Sequence, residues 1–338
     1  MKIKKNARPT MVDVAHRAGV SQMTVSRAIS GKGYVSEDVK LKVEAAAQEI
    51  GYVQNRLAYG LRSENTHLIA VVLPSLANSV FTDVLTGITD AVTIHGFRPV
   101  FGVTEYSQES EEKLVQDLLS WRPYGIVLAG IEHSEATRKA IISSGIRVAE
   151  IMDVESTPIS IAFGLSHKDA GKKTAEYMLS KGHRRFIYVG SQGGRDLRAL
   201  KRFEGFIEAL NEAEATLIST EISTLPSSLA GGLSVTEKIL QSSDKPDAIY
   251  YANDDLAAGG LMYCISNGIR TPEDIALAGF NGLPFLDAFP IQLTTVRTPR
   301  YEMGWKAGNY LVDPSLASYP EGESCIDVGF ELIKGDTC

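Results

Sequence analysis

Four side chains between Gln22 and Arg27 have the types and spacing to read bases in a nucleic acid. At 100° per residue, a helix over this stretch puts Thr24, Val25, Ala28 and Ile29 on one side and Gln22, Met23, Ser26 and Arg27 on the other. The outward set offers an amide, a flexible apolar tip, a hydroxyl and a guanidinium. In a major groove Arg suits guanine O6/N7 and Gln suits adenine N6/N7. A second group of candidates lies far downstream, where polar residues end a series of apolar runs: Ser75, Asn78, Phe81, Tyr106, Asp153, Arg202, Asn253, Asp254, Asn281 and Thr298. Several polar groups with one or two aromatics are what a cleft needs to hold a polyhydroxylated small molecule. Asp153, Asp254 and Asp255 have no His or Cys cluster beside them, so metal-assisted hydrolysis has no support and no cofactor is expected.

The elements that must position the first group are short helices. Thr10 is placed to cap one, with Asp13 at the capping-box position. Met11, Val14, Ala15 and Ala18 follow at i, i+3, i+4 and i+7, and Gly19 stops the helix. Ser21 caps the second helix, and Val20 with Val25 forms a hydrophobic staple. A third helix is expected from Ser36 to Gly51, with Glu37 and Asp38 in its positive first turn. Two helices around a Gly turn, packed by a third, make a helix-turn-helix unit.

The charge distribution agrees. The chain has 338 residues and a net charge of −7, yet residues 1–62 hold eleven Lys/Arg against five Asp/Glu, a net of +6, which leaves −13 on the remainder. A basic head on an acidic body suits a polyanion bound by the head alone. No apolar run is long enough for a membrane span, and no apolar segment follows the basic MKIKKNARPT to make a secretory signal. Three widely spaced cysteines, Cys264, Cys325 and Cys338, argue against a disulfide framework and a zinc site, and fit the cytoplasm.

The second group needs strand ends. From LIAVVLP (68–74) onward, strand-like runs alternate with helical stretches: 80–95, PVFGV, 109–121, GIVLAG, 134–144, IRVAEIMD, 167–181, FIYVG, 199–213, TLIST, 230–243, DAIYYAND, 255–267 and DIALAGFN. Such β-α alternation demands mostly parallel sheets with right-handed crossovers. More than ten such units exceed one sheet, so two doubly wound lobes are expected. The break falls near Phe163–Ser166, and TTVRTP near 294–299 crosses back. Ligands bind beyond the carboxyl ends of such strands, which is why the residues named above, with Glu105, Gly130 and Glu132, are candidates. Blander readings stand beside them: Asp254 as a helix N-cap, Asn281 as a turn residue and Arg202 as a surface cation.

DVAHRAGVSQMTVSRAIS followed by EIGYVQNRLAYGLR resembles the N-terminus of the lactose/galactose repressor (LacI/GalR) family. KGHRRFIYVG, KRFEGFIEAL, YYANDDLAAG, IALAGFNG and LTTVRTPRYEMG extend the resemblance over nearly the whole chain. It implies a major-groove helix with Gln22, Met23 and Arg27 reading bases, and Thr10, Ser21, Thr24 and Asn55 near phosphates. It also implies a hinge helix, ordered only on operator DNA, whose Ala58 and Leu61 enter the minor groove as apolar wedges. Gln54 stands where the family usually has Pro, and Gly60 costs about 1 kcal/mol of helix propensity. Both make the hinge harder to order, and the blander reading of Leu61 is a linker residue. For the body the resemblance implies a periplasmic-binding-protein-like sensor core, with Arg202 as the ligand-binding arginine.

The expected organisation is a head over 1–54, a hinge and linker over 55–66, one lobe from 67–165 with 296–325, and another from 166–295 with 326–338. VLPSLANSVF and TPRYEMG resemble the gluconate-operon repressor branch. Lys201 is placed to pair a carboxylate beside Arg202, and Asn281 replaces the Asp of neutral-sugar members, so the expected effector is a sugar acid such as gluconate or a ketogluconate. The expected partners are double-stranded operator DNA, this effector and a second copy of the chain, since no leucine-heptad tail follows to assemble a tetramer; no membrane partner is expected. Two other classes compete. An extracytoplasmic sugar-binding protein shares the core but has no use for the head. A dinucleotide-dependent oxidoreductase needs G-x-G-x-x-G, which GSQGGR (190–195) does not supply.

Overall fold

The computed structural model describes residues 8–30, 33–53, 66–313, 315 and 324–338. The expectations for Gln54, Asn55, Ala58, Gly60 and Leu61 lie outside the described residues. The chain divides into a unit ending at Thr66 and a unit from His67 to Cys338.

The first unit carries α1 (Met11–Ala18), α2 (Gln22–Ser30) and α3 (Glu37–Glu49). The capping box forms: Thr10 N donates to Asp13 Oδ2 at 2.8 Å, and Asp13 N donates to Thr10 Oγ1 at 3.4 Å. Gly19 closes α1 at φ +68°, a left-handed conformation that suits glycine. Ser21 caps α2, accepting from Thr24 N at 3.1 Å. Ser36 stands at the N-cap of α3, but its side chain makes no capping bond there, and Glu37 and Asp38 occupy the first turn. Val14, Ala15, Val25, Ala28, Val43 and Ala46 are the buried centre of this unit. Arg17 of α1 pairs with Glu49 of α3 across it.

The second unit alternates strands and helices in chain order: β1 (Leu68–Leu73), α4 (Val80–Thr93), β2 (Arg98–Val103), α5 (Gln108–Ser120), β3 (Gly125–Ala129), α6 (Glu135–Ser144), β4 (Arg147–Asp153), β5 (Ile161–Leu165), α7 (His167–Ser180), β6 (Arg185–Gly190), α8 (Leu197–Glu212), β7 (Thr216–Ile222), α9 (Leu229–Gln241), β8 (Ala248–Tyr251), α10 (Asp254–Ser266), β9 (Ala276–Ala278), β10 (Thr295–Arg297), α11 (Arg300–Val312), β11 (Cys325–Asp327) and β12 (Glu331–Ile333). One sheet has the order β11-β5-β4-β3-β1-β2 and another β7-β6-β8-β9, and every pairing within them is parallel. β10 and β12 pair antiparallel as a two-stranded ribbon. Strands covered on both faces read as continuous apolar runs, as in LIAVVL of β1.

Several elements differ from the sequence expectation. Phe163 and its neighbours, read as the break between lobes, form β5, fully buried beside β4. Gly164 permits that pairing, since a Cβ there would lie 2.3 Å from Asp153 N. The chain leaves the first sheet at Leu165, and α7 begins at His167. Cys325–Asp327 joins the edge of the first sheet, two residues past the boundary anticipated at 325. Arg300–Val312, for which no element was named from the sequence, is a helix packed on α4 just after the crossover.

Both sheets change winding direction next to a central strand, the first between β1 and β3 and the second between β6 and β8. The crevice beyond the carboxyl ends at such points is where open α/β sheets bind ligands. Glycine sets how closely the helices there approach. A Cβ on Gly171 of α7 would lie 1.9 Å from the Arg202 carbonyl, and one on Gly205 of α8 would lie 1.9 Å from the Lys168 carbonyl. These two glycines hold α8 backbone-close against α7 and so fix where Arg198 and Arg202 emerge.

Candidate functional site

On α2 the division anticipated from periodicity is observed. Val25 and Ala28 are buried, while Gln22, Met23 and Arg27 are exposed and Ser26 partly so. Met23 is 64% exposed, too much for a core side chain. Ser21 Oγ also lies 2.8 Å from Thr24 Oγ1, so these two hydroxyls hold each other at the start of the helix. Thr10 Oγ1 donates to Asp13 Oδ2 at 2.7 Å and is engaged in the cap. The face therefore presents an amide, a thioether, a hydroxyl and a guanidinium in a row that fits base edges, with a helix N-terminus beside it that favours phosphate.

In the second unit a cavity lies between the strand ends of the two sheets. Asn78, Phe81, Arg202, Asn253, Asn281 and Thr298 line it, as anticipated. An outer, more open cavity adjoins it and is lined by Tyr106, Gly130 and Glu132 among others. Asp196 and Arg198 belong to both. Tyr106 connects the two spaces, its hydroxyl accepting from Asn78 Nδ2 at 3.4 Å; burial raises its pKa.

Three anticipated residues are directed elsewhere. Asp254 is fully buried with its carboxylate accepting from Thr295 Oγ1 at 2.6 Å and Leu283 N at 2.9 Å. It ties α10 to the chain between the lobes, and Asn253 caps α10 instead, accepting from Leu256 N at 3.2 Å. Asp153, also fully buried, lies 2.7 Å from Lys201 Nζ, which also pairs with Glu132. Lys201 therefore links α8 to carboxylates beyond β3 and β4 and is not open to a ligand anion. Ser75 Oγ accepts from Ala77 N at 3.2 Å and shapes the turn after β1.

Arg202 is 5% exposed, and its guanidinium carbon lies 3.9 Å from the centre of the Phe280 ring. Nη1 donates to His167 Nδ1 at 2.9 Å, and Nη2 to the Ala252 carbonyl at 3.0 Å. His167 Nε2 lies 2.8 Å from the Met152 carbonyl. A donor on one ring nitrogen and an acceptor on the other describe a neutral imidazole. Burial, then Arg202 and Arg198, hold the His167 pKa well below its ordinary value. Arg198 Nη1 is buried without a hydrogen-bond partner among the described residues, while the Arg202 guanidinium also engages the buried Tyr250 side chain. Both arginines line the cavity, and two guanidinium charges on its wall favour an anion. The backbone is strained here too: Met152 and Asn281, both lining the cavity, have φ of +81° and +126°.

Sequence reasoning missed Asp196, Arg198, His167, Met152, Leu165 and Phe280 as lining residues. Arg198 carries one usable signal: it stands four residues before Arg202 and so on the same helix face. The helix was expected to start at 199, which left it out; α8 starts at Leu197.

A model for bacterial regulatory proteins of the lacI family matches residues 10–55, and one for a periplasmic binding protein-like domain matches residues 175–338. The HTH-type transcriptional regulator GntR of Pseudomonas aeruginosa is 39% identical over 335 residues, covering 99% of this chain and 97% of that protein. The regulator of the same name in Escherichia coli K12 is 32% identical, covering 98% of this chain and 99% of that one. A crystal structure of a LacI-family transcriptional regulator from Silicibacter pomeroyi superposes with a TM-score of 0.91 at 42% identity, covering 97% of this chain and 99% of that one. Head, core and full-length relatives agree, and the chain belongs to the lacI family of bacterial regulatory proteins.

Proposed function

We propose that this transcriptional regulator is a homodimeric repressor of a sugar-acid catabolic operon, with a gluconate-like aldonate as its effector. Residues 1–54 form the DNA-reading head and 55–66 the hinge. One sensor lobe takes 67–165 with the returning chain up to Asp327, and the other takes the intervening and terminal segments. On the operator, Gln22, Met23 and Arg27 face bases with Ser26 beside them. Thr10, Ser21, Thr24 and Asn55 lie near phosphates, and Ala58 and Leu61 enter the minor groove. Two heads related by a dimer axis call for a pseudo-palindromic operator. Effector in the cleft alters the ordering of residues 55–66 on DNA, and operator affinity follows.

The observation that carries the effector class is the pair of guanidinium groups, Arg198 and Arg202, lining one cavity, with Arg198 Nη1 unpartnered among the described residues. Asn78, Asn253, Asn281 and Thr298 add polar groups suited to a polyol chain. We read the chain as acting by binding alone, because both nitrogens of His167 are engaged in holding Arg202 and Met152. Fluorescence anisotropy on an operator duplex, at stated salt, tests the proposal. Gluconate is expected to shift operator affinity at least tenfold while glucose leaves it unchanged. A shift with neutral sugars and none with aldonates rejects the sugar-acid assignment.

A further inference from the structure

We propose that Asp196 and Arg198 together read an α-hydroxy carboxylate, so that the cleft prefers an aldonate to its 2-keto counterpart; this rests on the sugar-acid reading above. The two side chains form one unit. Arg198 Nε lies 3.3 Å from Asp196 Oδ1, which holds the guanidinium plane and leaves Nη1 buried without a partner among the described residues. Arg198 is 8% exposed, and the Phe81 ring centre stands 5.6 Å from its guanidinium carbon. Both residues border the inner and the outer cavity. The pair thus offers a strong donor and an acceptor side by side at the passage between the two spaces.

Burial pushes Asp196 toward the neutral acid, but Arg198 and Arg202 outweigh it and hold the carboxyl below its ordinary pKa. It is therefore ionised at neutral pH and can only accept hydrogen bonds. An α-hydroxy acid presents a carboxylate and, on the next carbon, a hydroxyl donor. The carboxylate accepts from Arg198 Nη1, with the Arg202 charge four residues further along the same helix face. The hydroxyl donates to Asp196. A 2-keto acid puts a carbonyl oxygen at that carbon, so two acceptors meet with no proton between them. A polyol without the carboxylate leaves the Arg198 donor unmatched. Other charges nearby do not confuse this reading: Lys201 is held by Asp153 and Glu132, and His167 is neutral.

Titration calorimetry on the full chain tests it with gluconate, 2-ketogluconate and glucitol, and with lactate and pyruvate as the shortest hydroxy and keto pair. Wild type is expected to bind gluconate about 10-fold or more tighter than 2-ketogluconate, with glucitol weaker still. Arg198→Gln should lose about 10- to 100-fold on gluconate. Asp196→Asn, which gains an N–H donor, should erase or invert the hydroxy-over-keto preference. Because a lone buried charge can unfold either single variant, the neutral pair D196N/R198Q is measured as well, and it should lose both preferences. Arg198→Gln binding gluconate like wild type, or an unchanged hydroxy-to-keto ratio in Asp196→Asn, overturns the inference. Should wild type bind neither aldonate, the sugar-acid assignment fails by itself. The lactate-to-pyruvate ratio across the same variants then supports or overturns the pair's role.

Discussion

Arg27 in the head and Arg198 and Arg202 in the body carry the same group in opposite surroundings. Arg27 projects from α2 into solvent, and its neighbours Gln22 and Met23 are exposed as well. Arg198 and Arg202 are more than nine-tenths buried, stacked near aromatic rings and braced by Asp196 and by His167. The exposed arginine has its fold supplied by others, the six small and β-branched residues beneath it. The buried arginines are part of their own scaffold, so binding and stability are separable in the head and coupled in the cleft.

The largest effect that sharpens this contrast belongs to Arg202→Ala. It leaves the Ala252 carbonyl and His167 Nδ1 without their donor and empties space beside Phe280. A cost of about 3–5 kcal/mol in stability is expected, read by chemical denaturation, along with lost effector binding. A variant as stable as wild type would break the coupling claimed for the cleft.

The next effect separates the cleft from another buried charge cluster. His133 Nδ1 lies 2.8 Å from Glu111 and Nε2 lies 3.5 Å from Glu150, with the ring side chain 1% exposed. Burial alone would lower its pKa, but Glu111 and Glu150 prevail and raise it from 6.5 to about 9. The folded state therefore holds this proton more tightly than the unfolded chain does. Its contribution is complete below about pH 6.5 and is lost as pH rises through 9, at most about 3 kcal/mol. Asp254, raised by burial to about 6, loses its own contribution earlier, as pH rises through 6. Thermal melts of wild type should fall between pH 7 and 9.5, and His133→Gln should flatten that slope while keeping effector affinity. A His133→Gln slope equal to that of wild type would remove His133 as the cause.

The smallest effect on the fold belongs to the head. Arg27→Ala should change stability by less than about 0.5 kcal/mol, as expected for an exposed site. It should still relax preference at one operator base position by about 1–3 kcal/mol, measured with a set of single-base operator variants. Uniform weakening across all variants would make Arg27 a phosphate contact instead.

The two regions also differed in how far the sequence could be read, for a physical reason. The capping box at Thr10, the stop at Gly19 and the outward face of α2 are local: each depends on residues within about one turn. The carboxyl-end rule for parallel strands was enough to bring Asn78, Phe81, Arg202, Asn253, Asn281 and Thr298 to one cavity. It could not say which polar residue there finds a partner first. Asp254 is claimed by Thr295, 41 residues away, and Lys201 by Asp153 and Glu132, 48 and 69 residues away. Those choices are made by tertiary packing, and they removed Asp254 and Asp153 from the cavity while leaving Arg198 in it. β5 was missed because five buried residues that include a glycine look the same as an apolar linker until β4 is beside them.

The central claim is that occupation of the cleft controls a head whose own reading surface is independent of it. Operator anisotropy with and without gluconate, on wild type and on Arg202→Gln, tests this most directly. The account predicts a gluconate-dependent change in operator affinity of at least tenfold for wild type. For Arg202→Gln it predicts no such change, with ligand-free operator affinity within about threefold of wild type. An Arg202→Gln protein that still answers to gluconate with the wild-type amplitude would contradict it.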